Sequence, residues 1–195
     1  DLIYGLPLQT PETFAQTLKN ALELNPDRIA LFGYAHVPWV KPAQKSLEQW
    51  AIPTSDEKAC LFLEGKSAFE NAGYEFIGLD HFAKPDDKLI EARRNGTLHR
   101  NFQGYSTHAG IDLFAVGLTS ISETKTSYRQ NYKAMPDYQK AVEDGILPIE
   151  KGIVLNSEDI LRRAVIMDIM CALKENYGNY GVDFQKKVAE ALERL

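Results

Sequence analysis

The sequence predicts an α/β fold: the last βα units of a partial TIM-type barrel, followed by a mainly helical C-terminal part. Three observations carry that expectation. Two short apolar runs, residues 2–5 and 28–35, flank a segment with helical spacing, and strand, helix, strand within 35 residues is a βαβ unit with a right-handed crossover. The second run, RIALFGYA, is apolar on both faces, as a strand of a covered parallel sheet must be. Beyond about residue 122 the pattern turns helical, which divides the chain into 1–122, the sheet-bearing part with its loops, and 123–195.

Each element has a local reason. Leu2 to Gly5 is apolar and partly β-branched, and Pro7 ends it. Thr10-Pro11-Glu12 starts a helix, with Thr10 as cap, Pro11 at the first position and an acid in the first turn. Phe14, Leu18, Ala21 and Leu22 form its buried stripe, and Asn25-Pro26-Asp27 ends it. Thr54-Ser55-Asp56-Glu57 is a capping box opening a helix that stops at Gly73. Residues 74–79, YEFIGL, read as a third strand ending at Asp80-His81-Phe82-Ala83. Pro85-Asp86-Asp87 opens a short helix closed by Asn95-Gly96. Residues 98–107 read as an irregular functional loop, and 113–121 as a fourth strand. Helices are then expected over 128–144, from the Asn156-Ser157 cap to Tyr177, and from near Asp183. The helix after Asn156 carries apolar residues around most of its circumference, which predicts burial.

Composition bounds the function. With 195 residues, 44% hydrophobic and 25% charged, the chain can bury a full core and is not a disordered segment. Its formal net charge of −5 argues against general nucleic-acid binding, and no apolar run reaches membrane-spanning length. No signal peptide is evident, so the cytoplasm is the expected compartment. The chain opens on Asp1 as if within a strand and closes at Leu195 within an amphipathic helix, which suggests a piece of a longer protein. Cys60 and Cys171 stand 111 residues apart in helices with apolar neighbours and read as core packing, with no metal-ligand spacing between them. Dinucleotide and P-loop glycine motifs are absent, as are H-E-x-x-H and G-x-S-x-G.

What remains are polar groups at strand ends, where α/β sheets and barrels bind ligands. From spacing alone, Asp1 reads as a solvated strand end and His36 as a half-buried, hydrogen-bonded histidine. Asp80-His81 could orient a general acid or bind an anion, although adjacent strand residues point to opposite faces and need not touch. Lys84, Arg93, Arg94, His99 and Arg100 form a positive stretch, with Arg162-Arg163 a second one. Arg93 and Arg94 read as solvated helix faces, whereas Arg100, beside Asn101 and Gln103, reads as a binding residue.

DLIYGLP (1–7), LDHFAKPDD (79–87) and LHRNFQGYST (98–107), in this order, resemble the oxygen-independent coproporphyrinogen III oxidases, radical S-adenosylmethionine enzymes of haem biosynthesis. The resemblance extends over essentially the whole chain. Haem chaperones of the same superfamily usually read S-x-F-A and H-N-x-x-Y-W at the second and third motifs. The resemblance implies a partial TIM barrel with a [4Fe–4S] cluster on C-x-x-x-C-x-x-C, a motif this chain does not contain. It implies S-adenosylmethionine contacts at Asp1, at Ala35 through its backbone, and at Ile121 near the adenosyl group. It further implies that cleavage of the cofactor yields a radical that takes hydrogen from a propionate of coproporphyrinogen III, with carbon dioxide lost and a vinyl group formed, twice over. That substrate is a tetracarboxylate, and His81 and Arg100 are the candidates to meet it. The electron donor and acceptor are left unassigned. Two rival readings remain open, a haem chaperone with His36 or His81 as ligand and a non-catalytic α/β binding module. Without the cluster ligands the chain alone is expected to be inactive, and an open sheet edge is expected to favour self-association.

Overall fold

The computed structural model describes residues 1–172, so the helix expected near Asp183 and the stretch up to Tyr177 lie outside the described residues. The chain divides between Asn95 and Gly96 into two compact units. The sequence had suggested a division at 122 instead.

The first unit runs β1 (Leu2–Tyr4), α1 (Pro11–Glu23), β2 (Arg28–Gly33), a 3₁₀ segment (Pro42–Gln49), α2 (Ser55–Asn71), β3 (Glu75–Gly78), β4 (His81–Ala83) and α3 (Lys88–Arg94). The helix starts are those the sequence marks. Thr10 caps α1 with Pro11 in the first turn, and its box is closed by the Thr13 hydroxyl. Thr54 and Glu57 form the reciprocal box of α2, and Asp87 caps α3 by accepting from the Leu89 amide at 2.7 Å. α2 ends before Gly73, whose φ of 88° is the left-handed conformation that glycine adopts without strain.

The sheet order is β1-β2-β4-β3. β1 and β2 are parallel, with Leu2 opposite Leu31 and Tyr4 opposite Gly33, as the βαβ reading requires. The rest of the sheet differs from a parallel barrel. β3 and β4 form an antiparallel hairpin turning at Leu79-Asp80, and β4 also pairs antiparallel with β2. The run expected as one strand ending at Ala83 is therefore two strands. A turn of two residues can only reverse the chain, because a parallel neighbour needs a long crossover.

The core lies where α1 and α2 cover this sheet. Phe14, Leu18, Leu61 and Phe69 come from the helices, and Ile29, Leu31 and Phe82 from the strands. Phe82 is fully buried between Phe69 and Phe76, with ring centroids 5.1 Å and 5.2 Å away. α2 comes close enough to β2 that a Cβ built on Gly65 would stand 2.6 Å from Leu31 Cδ2. Leu61, Gly65 and Phe69 at i, i+4 and i+8 make its inner stripe. Cys60, one residue off that stripe, is exposed, so the core role expected for it is incorrect; Cys171 is buried as expected.

The second unit contains β5 (His99–Asn101), β6 (Gly104–Ser106), β7 (Ile121–Glu123), β8 (Ser127–Asn131), α4 (Met135–Glu143), β9 (Ile149–Val154) and α5 (Ser157–Ala172). Several expectations change here. Residues 98–107 form a β5–β6 hairpin rather than an irregular loop, with Gly104 at φ 125° following its tip. The expected strand over 113–121 is only a bridge from Leu113 to Glu123. The expected helix 128–144 splits into β8 and α4, because Pro136 belongs in a first helical turn and cannot sit mid-helix. β7, β8 and β9 make a three-stranded antiparallel sheet that the helical reading missed. Asn156 caps α5 through a reciprocal box with Asp159, but the helix is not buried all round. Ile160, Ile166 and Ile169 are exposed, and among its described residues only Val165 and Cys171 are buried. Among the described residues, no helix is long and apolar enough to cross a membrane.

Two outcomes follow from the packing of the first unit. Phe82→Ala is expected to cost about 3–5 kcal/mol in urea unfolding, since the ring fills the centre of the core. Asp87 is held below the usual carboxylate range: burial opposes its charge, but hydrogen bonds from Arg28 and the Leu89 amide, with the Arg28 charge, outweigh it. A depressed folded-state pKa stabilises above the unfolded value and is lost as pH falls through the folded one. Asp87→Asn is therefore expected to be destabilised at pH 7, with the difference from the parent shrinking below about pH 4.

Candidate functional site

In the first unit the chemistry gathers where β1 and β2 end. The last rung between them is the Tyr34 amide donating to the Tyr4 carbonyl at 2.8 Å. Beyond it, β2 leads into Tyr34, Ala35 and His36, and β1 into Gly5. The Tyr34 hydroxyl lies 3.2 Å from His36 Nδ1, and His36 Nε2 lies 3.1 Å from Glu48 Oε1 on the 3₁₀ segment. His36 is thus a half-buried, hydrogen-bonded histidine, as its spacing suggested. Gln44, from the same segment, donates to the Ala35 carbonyl at 3.0 Å and accepts from the Val37 amide at 2.7 Å. The Ala35 carbonyl is therefore already engaged within the protein.

Asp80 and His81 lie on the β3–β4 hairpin at the same end of the sheet. Alternation along a strand would separate them, yet Asp80 Oδ1 stands 2.6 Å from His81 Nδ1. The reason is the turn. Leu79 takes a φ of 50°, and the Asp80 carbonyl is fixed by the Leu31 amide at 2.7 Å, so Asp80 is not part of a regular strand. An imidazole whose Nδ1 faces a carboxylate has a set orientation, an arrangement suited to general acid–base work or anion binding. Phe32 meets the His81 ring edge-on at 6.0 Å. Tyr4 is close enough to feel this pair: burial, and secondarily the Asp80 charge, push its phenol above the usual value.

Asp1 is elsewhere. It is exposed and precedes β1, and the register sets it about 16 Å along the sheet from Ala35. A strand terminus before a loop was the expectation; the structure places Asp1 at the start of its strand.

The second unit holds a cavity of about 510 Å³ whose lining includes Arg100, Phe102, Tyr128, Arg163 and Met167. The Arg100 guanidinium lies 5.0 Å from the Tyr105 ring centroid, and its amide donates to Met167 Sδ at 3.3 Å. Its Nη1 is buried without a hydrogen-bond partner among the described residues. An unsatisfied guanidinium donor is costly and suits an anionic oxygen. Burial pushes the nearby Cys171 thiol up; the Arg100 charge pulls it back, and Asp168 adds to the rise. Arg163 is spent on structure, donating to the Thr124 and Lys125 carbonyls at 3.0 Å and 2.6 Å, and Arg162 pairs with Glu158 at 2.7 Å. Ile121 opens β7 and lines a smaller cavity of about 240 Å³ with Phe102, Tyr128 and Lys151.

Arg93, Arg94 and Lys84 of the positive stretch are partnered rather than simply solvated. Arg93 donates to the Phe76 carbonyl, Arg94 pairs with Glu75, and Lys84 pairs with Asp27 at 3.1 Å. Sequence reasoning missed Tyr4, Gln44 and Lys58. Each belongs to the site through tertiary contact, and no spacing marks them. Among the described residues, no group of three or more His, Cys, Asp or Glu is placed to hold a metal ion. With two cysteines far apart, an iron–sulfur cluster has no ligand set in this chain.

No family model matches the chain. It is 48% identical over 203 residues to the oxygen-independent coproporphyrinogen III oxidase of Synechocystis, which aligns with 100% of this chain. The enzymes of that name from Helicobacter pylori and Escherichia coli K12 are 44% and 42% identical, each again over 100% of this chain. The chain spans about 44% of the length of these curated relatives. Among solved structures, the coproporphyrinogen III oxidase from Escherichia coli, described as a radical SAM enzyme, superposes with a TM-score of 0.85 at 43% identity, over 92% of this chain and 41% of that one. In sequence and in fold, the chain is a homologue of the oxygen-independent coproporphyrinogen III oxidases over about 44% of their length.

Proposed function

We propose that this chain is the part of an oxygen-independent coproporphyrinogen III oxidase that helps to bind the cofactor and the substrate. The observation that carries the reading is the match to a radical SAM coproporphyrinogen III oxidase structure, at a TM-score of 0.85 and 43% identity over 92% of the chain. The reaction is the oxidative decarboxylation of two propionates of coproporphyrinogen III to vinyl groups. S-adenosylmethionine would supply the hydrogen-abstracting power when bound and reduced, and the C-x-x-x-C-x-x-C motif that would hold the reducing [4Fe–4S] cluster does not occur in this sequence. No electron-transfer step is assigned to this chain.

The residues of this chain bind and orient. Ile121 offers an apolar wall beside the Phe102 and Tyr128 rings, which suits a planar adenosyl group. Ala35 would meet the cofactor through the backbone that Gln44 braces, and Asp1, about 16 Å along the sheet, would accept hydrogen bonds only at the cofactor's far end. His81, set by Asp80, and Arg100, whose buried Nη1 has no hydrogen-bond partner among the described residues, are the groups for substrate carboxylates. The acidic total does not oppose this, since a local cation decides the binding of a local carboxylate. The soluble compartment expected from the sequence, the cytoplasm, agrees with a haem-biosynthetic role.

In an enzyme that joins this chain to a cluster-bearing segment, His81→Ala and Arg100→Ala are each expected to weaken coproporphyrinogen III binding about tenfold or more, with the fold retained by circular dichroism. Unchanged affinity and turnover in both variants would remove them from the substrate site. The 195-residue chain alone, reconstituted with iron, sulfide and S-adenosylmethionine, is expected to form no protoporphyrinogen IX. Product formation above the protein-free blank would show that these residues suffice.

A further inference from the structure

Lys58 is a cation for which the fold makes room and, among the described residues, gives no acid. It lies in the first turns of α2, and its stem crosses the end of β1 at Gly5. A Cβ at Gly5 would stand 2.8 Å from Lys58 Cγ, 2.9 Å from Cε and 3.0 Å from Cδ. Gly5 has a φ of 78°, and its amide donates to the Gln9 side chain at 2.5 Å, which fixes this bend. Glycine at position 5 thus opens the track along which the lysine reaches the end of β2. There its Nζ donates to the Tyr34 carbonyl at 3.2 Å and stands 5.7 Å from the centroid of the Tyr34 ring.

A lysine ammonium has three donors, and one carbonyl uses only one of them. Among the described residues no carboxylate forms an ion pair with Lys58; Glu57, next to it in sequence, is engaged on the Thr54 cap, Glu48 on His36 and Asp80 on His81. Lys58 is half-buried, so its head is neither stripped of water nor fully hydrated. It also stands at the carboxyl ends of two parallel strands, the place where such sheets bind ligands.

The geometry points to Lys58 as the holder of a ligand carboxylate at the end of β1 and β2. This deepens the function proposed above and rests on it for the ligand, since two of that enzyme's ligands carry the required group. They are the amino-acid carboxylate of S-adenosylmethionine and the propionates of the tetrapyrrole. Lys58 is a binding residue here, and no proton or electron transfer is assigned to it.

The test measures binding to the 195-residue chain by calorimetry and porphyrin fluorescence. The probes are S-adenosylmethionine, coproporphyrin III as a stable tetracarboxylate, its tetramethyl ester and succinate. The variants are Lys58→Met, which keeps the stem along Gly5, Lys58→Gln, Lys58→Arg, and Lys19→Gln as a surface control, each checked for fold by circular dichroism. The expected result is that one acid ligand binds about tenfold more weakly to Lys58→Met and Lys58→Gln, with partial recovery in Lys58→Arg and no change in the control. Loss confined to S-adenosylmethionine identifies the cofactor carboxylate. Loss confined to coproporphyrin III, with the ester indifferent to the substitution, identifies a propionate. Succinate binding that depends on Lys58, with neither acid ligand bound, keeps the carboxylate site and overturns the assigned ligands. Equal binding of either acid ligand by parent and both neutral variants overturns the role of Lys58 and leaves the proposed function standing. If no carboxylate binds the folded parent chain, the site is overturned.

Discussion

The parallel pairing of β1 with β2 is the constraint on which the rest of the first unit depends. Its last rung, from the Tyr34 amide to the Tyr4 carbonyl, brings two strand ends side by side that are about 30 residues apart in sequence. Every polar group of interest there is placed relative to that rung. Tyr4 lies opposite Gly33, where a Cβ would come within 3.0 Å of its hydroxyl, so a glycine in β2 leaves space for a phenol from β1. The crossover through α1, and the fixed register of the pair, convert two distant loops into one edge of the sheet.

The hairpin of β3 and β4 then completes this edge in a way that a purely parallel sheet would not. A crossover strand would have delivered a single loop. The reversal at Leu79-Asp80 instead delivers a carboxylate and an imidazole already in contact, anchored to β2 by the Leu31 amide. The left-handed φ of Leu79 is unfavourable for a branched side chain, and the hydrogen bond to β2 together with the buried Phe82 holds it in place. Local backbone strain and side-chain orientation are here two aspects of one turn.

Much of the first unit was legible in the sequence, and the reasons are local. Thr10, Thr54, Asp87 and Gly73 announce helix ends through chemistry that acts within four residues, and each does so in the structure. The βαβ pairing followed from periodicity. What could not be read was decided at a distance. The hairpin at 75–83 depends on β2 accepting an antiparallel neighbour, and β8 is a strand because β7 and β9 pair with it on both sides. Tyr128, Arg129 and Gln130 fit a helix as well as a strand until those partners are known. The three sequence motifs that carry the family resemblance were legible for the opposite reason: they hold particular residues in a fixed order. The Lys58 ammonium had no such signal, because its meaning lies in a glycine 53 positions earlier.

Gly65 bears on any attempt to engineer this protein for heat resistance. Replacing a helical glycine with alanine is a routine gain, since it relieves a helix of about 1 kcal/mol of backbone freedom. On α2 that substitution would set a methyl group 2.6 Å from the Leu31 side chain and wedge the helix away from the sheet. The same helix carries the Lys58 stem past Gly5 about two turns earlier, so the displacement would reach the ligand edge. A consensus-style stabilisation scan would mark position 65 as an easy improvement, while the packing makes it the hinge between rigidity and reach.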